Sequence, residues 1–125
     1  MTSVLLIEDS PTQAREVAAS MSCYNIDVFI AGDGPQGLRL AIELKPDLIV
    51  LDINLPTMNG YQVCRRLKRE PKTQSIPVVM LTSSDSTDAI MEGLEAGALD
   101  YIPKDAFAVE NLSSTLEKLG LIPSM

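Results

Sequence analysis

Two acids, Glu8 and Asp9, close the apolar run Val4-Leu5-Leu6-Ile7, and a third, Asp52, closes Leu48-Ile49-Val50-Leu51. Thr82 follows Val78-Val79-Met80-Leu81, and Lys104 follows Tyr101-Ile102-Pro103. Three carboxylates, a hydroxyl and an amine therefore sit where apolar runs stop. If those runs are parallel strands, their carboxyl ends border one crevice, and these groups meet in it. Carboxylate oxygens are the ligands a hard divalent cation takes. A hydroxyl and an ammonium suit the oxygens of a phosphoryl group. The set points to phosphoryl chemistry assisted by a divalent cation.

The elements that must position these residues alternate, strand then helix, five times. Ser3 to Ile7 reads as the first strand. Ser10-Pro11-Thr12-Gln13 then reads as an N-cap, a proline at N1 and a capping-box glutamine at N3. Ala14, Val17, Ala18 and Met21 share one helical face. Ile26 to Ala31 is a second strand, with Asp27 marking an exposed side. Asp33-Gly34-Pro35 opens a second helix carrying Leu38, Ala41 and Ile42, and Lys45-Pro46 ends it. Leu48 to Leu51, apolar throughout, is a central strand buried on both faces.

Gly60 opens a third helix with Val63, Cys64 and Leu67 inward and Arg65, Arg66, Lys68 and Arg69 outward, ending at Glu70-Pro71. Ile76 to Leu81 is the fourth strand. Ser86 or Thr87 caps a fourth helix with Ile90, Gly93 and Leu94 on one face, and Gly97 follows as a C′ glycine. Leu99 to Ile102 is a short fifth strand. The last helix presents Val109, Leu112, Leu116 and Leu119, and Gly120 ends it, leaving 121–125 as a frayed tail. This is an α/β fold: a doubly wound, five-stranded parallel sheet. The order 2-1-3-4-5 makes neighbours of the four strands with polar ends.

Composition narrows the function. The 125 residues make one domain. The net charge of −7 argues against a nucleic-acid partner, since phosphate contacts need clustered Lys and Arg. The run from Arg65 to Arg69 reads instead as the solvated face of a helix. No apolar run approaches the roughly 20 residues of a membrane span, and Met1-Thr2-Ser3-Val4 has no basic n-region. A cytoplasmic location with no membrane partner is expected. Cys23 and Cys64 fit a reducing compartment, with no disulfide between them. The absence of histidine excludes a Ser-His triad, an HExxH zinc site and a phosphohistidine on this chain.

Taken in order, Glu8-Asp9, Asp52 with Pro56-Thr57-Met58-Asn59-Gly60, Thr82, Tyr101 and Lys104 resemble a response-regulator receiver domain, of the stand-alone, CheY-like kind, from Val4 to about Leu119. The resemblance implies that Asp52 accepts a phosphoryl group from a histidine kinase or a histidine phosphotransfer protein. It implies a metal site of Glu8, Asp9, Asp52 and the backbone carbonyl of Asn54, holding Mg2+ or, as a substitute, Mn2+. Lys104 matches the family's lysine, which pairs with the acceptor and then with a phosphoryl oxygen. Thr82 matches the switch hydroxyl and Tyr101 the switch aromatic. The residues alone leave Thr82 open as a plain strand-end threonine and Tyr101 open as core packing. One departure stands out. The family places a cis-proline directly after the lysine, whereas here Pro103 precedes Lys104 and Asp105 follows it. The last loop, through Asp105 and Ala106, is expected to be one residue longer and to tune partner choice.

The expected molecule is a receiver over 1–120 with a short tail at 121–125 and no fused effector. It signals by phosphorylation-dependent protein contact through the face of the fourth helix, fifth strand and fifth helix. It is not an enzyme beyond its own phosphorylation and dephosphorylation. A chemotaxis or motility messenger, a relay intermediate and a phosphate sink all satisfy the sequence. Two rivals come from other classes. A Mg-dependent aspartate-nucleophile phosphatase would want an acid where Asn54 stands. A flavodoxin-like electron carrier would want a phosphate-binding loop where Glu8-Asp9-Ser10-Pro11 is acidic.

Overall fold

The apolar runs become strands because their side chains alternate between two buried faces of one sheet. A computed structural model describes residues 2–22, 24–83, 87–104 and 107–122. Its strands are β1 (Thr2–Ile7), β2 (Ile26–Ala31), β3 (Leu48–Asp52), β4 (Val78–Thr82) and β5 (Asp100–Pro103). The helices between and after them are α1 (Pro11–Met21), α2 (Gly34–Leu44), α3 (Gly60–Arg69), α4 (Thr87–Glu95) and α5 (Ala108–Lys118). All pairings are parallel, in the expected order β2-β1-β3-β4-β5.

Alternate residues feed two cores, one on each face of the sheet. Leu5, Ile7, Ile49, Leu51, Val78 and Met80 pack with Ala41 of α2 and Val63, Cys64 and Leu67 of α3. Val4, Leu6, Leu48, Val50, Val79 and Leu81 pack with Ala14 and Met21 of α1 and Leu112 and Leu116 of α5. Every residue of β3 and β4 is buried, whereas the edge strand β2 exposes Asp27, Phe29 and Ile30.

The helix starts follow their sequence signals. Ser10 and Asp33 are N-caps, accepting the N–H of Gln13 and Gln36, and a proline stands at the start of each helix. Lys45, before Pro46, adopts a left-handed conformation with φ 46° and ends α2. Gly97 and Gly120, with φ of 105° and 74°, turn the chain after α4 and α5.

Several expectations change. Leu94 is half exposed, because α4 approaches the sheet through Gly93, with Ala96 buried just past the end of the helix. A Cβ at Gly93 would lie 3.1 Å from Met80 Sδ, so the helix is closest there and Leu94 is rotated away. Val109 is likewise half exposed, at the rim of a cleft between α1 and α5. Lys68 is not simply solvated: its Nζ donates to the carbonyls of Gln74 (3.3 Å) and Ile76 (2.7 Å). The tail is not all frayed. Ile122 is buried with Leu121 beside it, and Thr2 Oγ1 donates to Leu121 O at 3.4 Å. Ser86, Cys23, the Asp105-Ala106 loop and 123–125 lie outside the described residues, as do the expectations that rest on them.

Cys64 is fully buried and its Sγ donates to Ala96 O at 3.4 Å. Burial pushes its pKa up to about 11, against the lowering effect of the Lys68 and Arg65 charges. Because the thiolate is the reactive form, Cys64 should react with a thiol reagent at neutral pH at least about 100-fold more slowly in the native than in the denatured protein. Mass-spectrometric labelling kinetics of Cys64 check this, and equal rates would refute its burial.

Candidate functional site

Strand register delivers the polar residues to one end of the sheet. Ile7 pairs with Leu51, so Glu8 and Asp52 leave their strands side by side. Asp52 pairs with Leu81 and Thr82 with Pro103, which sets Thr82 and Lys104 at the same end. Two backbone bonds tie these ends together: Glu8 N–H to Ala31 O at 2.9 Å, and Lys104 N–H to Thr82 O at 2.7 Å.

The loop after Asp52 is built to return under it. Thr57 has φ 67°, costly for a β-branched residue. The Met58 N–H bonds back to Pro56 O at 2.7 Å, across that one residue. Asn59 then caps α3, and Gly60 passes beneath Asp52. A Cβ at Gly60 would lie 2.6 Å from Asp52 O and 2.7 Å from Ile53 Cα, so only glycine fits without moving the backbone that carries Asp52.

Glu8, Asp9 and Asp52 each bring a carboxylate oxygen to within 4.8 Å of the others. Glu8 and Asp52 are buried and Asp9 is exposed, so the cluster opens to solvent on the Asp9 side. Lys104 answers this charge. Its Nζ lies 2.8 Å from Glu8 Oε1 and 3.2 Å from Asp52 Oδ1. Burial alone would lower the lysine pKa. The hydrogen bond to Glu8 and the charges of Asp52 and Glu8 outweigh it, so the pKa is raised. Asp52 Oδ1 also accepts the Asn54 N–H at 3.2 Å. Asn54 thus borders the cluster, and this contact runs through its N–H.

Thr82 is buried at the end of β4, beside these groups. Tyr101 is not among them. It lies two register positions earlier, opposite Met80, with its ring packed against the core beside Gly93 of α4. Its hydroxyl is buried without a hydrogen-bond partner among the described residues, which is costly for a polar group. The core-packing reading of Tyr101 therefore describes this structure, with a hydroxyl that gains from any move toward a partner.

Two residues have roles that local sequence pattern does not give. Gln13 Oε1 accepts from Lys104 Nζ at 2.6 Å. The motif Ser10-Pro11-Thr12-Gln13 had assigned that side chain to a capping box, and a partner 91 residues away is invisible to local pattern. Tyr61 is buried and its hydroxyl donates to Ala89 O at 3.2 Å, tying α3 to α4. Its spacing to Cys64, i and i+3, was an available signal. Burial first, then the charge of Glu92 and the neighbouring Tyr101, hold its pKa above the usual tyrosine value.

The arrangement combines an oxygen-only cluster, open on one side, with a lysine on the same carboxylate and a hydroxyl nearby. Such a site can bind a hard divalent cation and present a carboxylate to a phosphoryl group.

Known proteins resemble this chain in sequence and in fold. DNA-binding dual master transcriptional regulator RpaA of Synechocystis is 39% identical over 95% of this chain but only 49% of its own length, so the chain spans about half of that relative. Protein PilH of Pseudomonas aeruginosa is 35% identical over 83% of this chain and 86% of its own length. In structure, the chemotaxis protein CheY4 of Vibrio cholerae superposes with a TM-score of 0.87 at 28% identity, covering 95% of this chain and 98% of that one. The family model for the response regulator receiver domain matches residues 4–117, and with the CheY-like sheet order and the acid-lysine cluster already in view, this chain belongs to the receiver-domain family of two-component signalling.

Proposed function

We propose that Asp52 accepts a phosphoryl group from a phosphohistidine on a kinase or phosphotransfer protein, and that the protein signals through the resulting change of shape. The observation that carries this is the convergence of Glu8, Asp9, Asp52 and Lys104 on one crevice at the carboxyl end of the sheet. Receiver domains as a family interact with histidine kinases and downstream targets. Among the three acids, Asp52 is the one placed to attack. Glu8 has both oxygens engaged, by Ser10 N–H and by Lys104. Both bonds of Asp52 to described residues fall on Oδ1, which leaves Oδ2 for phosphorus. The new O–P bond forms as the P–N bond to the histidine breaks, and the ring nitrogen keeps that electron pair. The product is an acyl phosphate, which water hydrolyses back to Asp52 and phosphate.

The donor set fits Mg2+, with Mn2+ as substitute: it is all oxygen, crowded with negative charge, and open beside the exposed Asp9. Asp9 and Asp52 would be direct ligands, with the Asn54 carbonyl as a third and Glu8 acting mainly through water. Bound there, the ion offsets the repulsion between phosphate and carboxylate. Lys104 pairs with the phosphoryl group once it is attached, and Thr82 donates to it. The only chemistry in this reading is the protein's own phosphorylation and hydrolysis.

Action in the cytoplasm as a stand-alone domain is part of the proposal. The near-full-length match to PilH supports the stand-alone part. Among the described residues, no helix is long and apolar enough to cross a membrane. A protein rather than a nucleic acid is the proposed target, given the net charge of −7. The face of α4, β5 and α5 is the proposed surface; Met91 and Leu94 of α4 and Leu99, just before β5, are exposed apolar side chains in this part of the chain. A phosphatase with an aspartate nucleophile and a flavin carrier are not favoured, because residues 4–117 match the receiver-domain family.

The metal site gives the first test. Mg2+ at a hundred times its Kd should stabilise the wild type by about 2.7 kcal/mol, a rise in Tm of about 10 °C for a domain of this size. Asp9→Ala should lose that rise. A wild-type melting curve indifferent to Mg2+ would remove the metal from the proposal.

A further inference from the structure

Lys104 has an anchor that the proposed chemistry does not use. Its ammonium reaches Glu8 Oε1 at 2.8 Å, Asp52 Oδ1 at 3.2 Å and Gln13 Oε1 at 2.6 Å. A lysine has three donors and no acceptor, so these contacts engage all of them and the Gln13 amide must present its oxygen.

The geometry around Gln13 shows that this contact displaces another. Half of the capping box forms: the Gln13 N–H donates to Ser10 Oγ at 3.3 Å. The other half would be the Ser10 N–H donating to the Gln13 side chain. Instead that N–H donates to Glu8 Oε2 at 3.3 Å, and the Gln13 side chain turns to Lys104. The start of α3 is an internal control. There Asn59 and Gln62 close both halves of the same box, each at 3.0 Å. A glutamine at this helical position does cap when nothing competes for it. Around Gln13 the result is a closed ring: Ser10 to Glu8, Glu8 to Lys104, Lys104 to Gln13, and Gln13 back to Ser10.

We infer that Gln13 is a positioning residue that, with Glu8, fixes the Lys104 ammonium so that its third donor can pass from Asp52 to a phosphoryl oxygen. This rests on the reading of Asp52 as the phospho-acceptor. A lysine stem is flexible, and aiming it costs rotamer entropy. Two anchors meet that cost before the phosphoryl group arrives.

The test is the affinity of the Mg2+-loaded protein for beryllofluoride, a phosphoryl mimic, followed by NMR titration. Gln13→Met keeps the length and loses the acceptor. Gln13→Glu keeps an acceptor oxygen. Thr12→Ala alters an exposed neighbour outside the ring. Gln13→Met should bind roughly tenfold more weakly than wild type, the effect of losing one hydrogen bond to a charged group. Gln13→Glu and Thr12→Ala should stay within about threefold of wild type, below half that free energy. Equal binding by wild type and Gln13→Met overturns the role of Gln13 and leaves the acceptor reading standing. Equal weakening in Gln13→Met and Gln13→Glu also overturns it, because the acceptor oxygen would then not matter. A wild type that takes up no beryllofluoride overturns the acceptor reading itself, and the role of Gln13 with it.

Discussion

Asp52→Asn should abolish phosphoryl uptake from acetyl phosphate or a cognate kinase, while wild type gains one acid-stable, base-labile group. The substitution keeps the shape of the side chain. An amide oxygen can still accept the Asn54 N–H, now 3.2 Å from Oδ1, so the turn after β3 should survive. What is lost is the anionic nucleophile. The neighbouring acids should not replace it: Glu8 is held at both oxygens, and Asp9 stands at the exposed side of the cluster. Intact-protein mass spectrometry with and without Mg2+ decides the matter. A variant that gains the phosphoryl mass at the wild-type rate would show that Asp52 is not the acceptor.

The placement of Asp52 was legible because it follows from local pattern alone. An apolar run buried on both faces ends at a carboxylate, and five such runs in alternation with helices leave few sheet orders. Ser10 and Asp33 were legible as caps for the same reason, since an N-cap needs only the three residues after it. The misreadings share a different cause. Gln13 satisfied a local rule, yet an ammonium from the far end of the chain competed for it and won. Lys68 looked solvated until the carbonyls of Gln74 and Ile76 came within reach. Leu94 and Val109 obeyed helical periodicity, but how far a helix is rotated against its sheet depends on where it approaches closest. In α4 that point is Gly93, a residue with no side chain to announce it. Periodicity gives the existence of an apolar face. Tertiary contact decides which edge of it is covered.

The same contrast sets the last expectation. Lys104→Met should destabilise the protein by about 3 kcal/mol in the absence of divalent cation, lowering Tm by about 10 °C. The methionine fills much of the lysine's volume, so the loss is electrostatic rather than steric. The side chains of Glu8 and Asp52 are only 1% and 3% exposed, and Lys104 is their cationic contact among the described residues. Removing one partner of a buried ionic cluster leaves charge without compensation, which costs more than the pairing itself contributes. The figure sits at the low end of that range because the lysine side chain is 22% exposed and Asp9 keeps the cluster open to water.

The pH dependence has a definite sign. The lysine pKa is raised in the folded state above its usual 10.5, so the protonated form is favoured by folding. That contribution is complete below the usual value and is lost as pH rises through the folded value. The stability gap between wild type and Lys104→Met should therefore be flat near neutral pH and shrink in the alkaline range above about pH 10.5. Mg2+ should close part of the gap at neutral pH, since it supplies the cluster with another cation. Denaturant unfolding of both proteins at several pH values measures all of this. A Lys104→Met variant as stable as wild type at neutral pH without Mg2+ would mean that the ammonium is not what offsets the buried carboxylates.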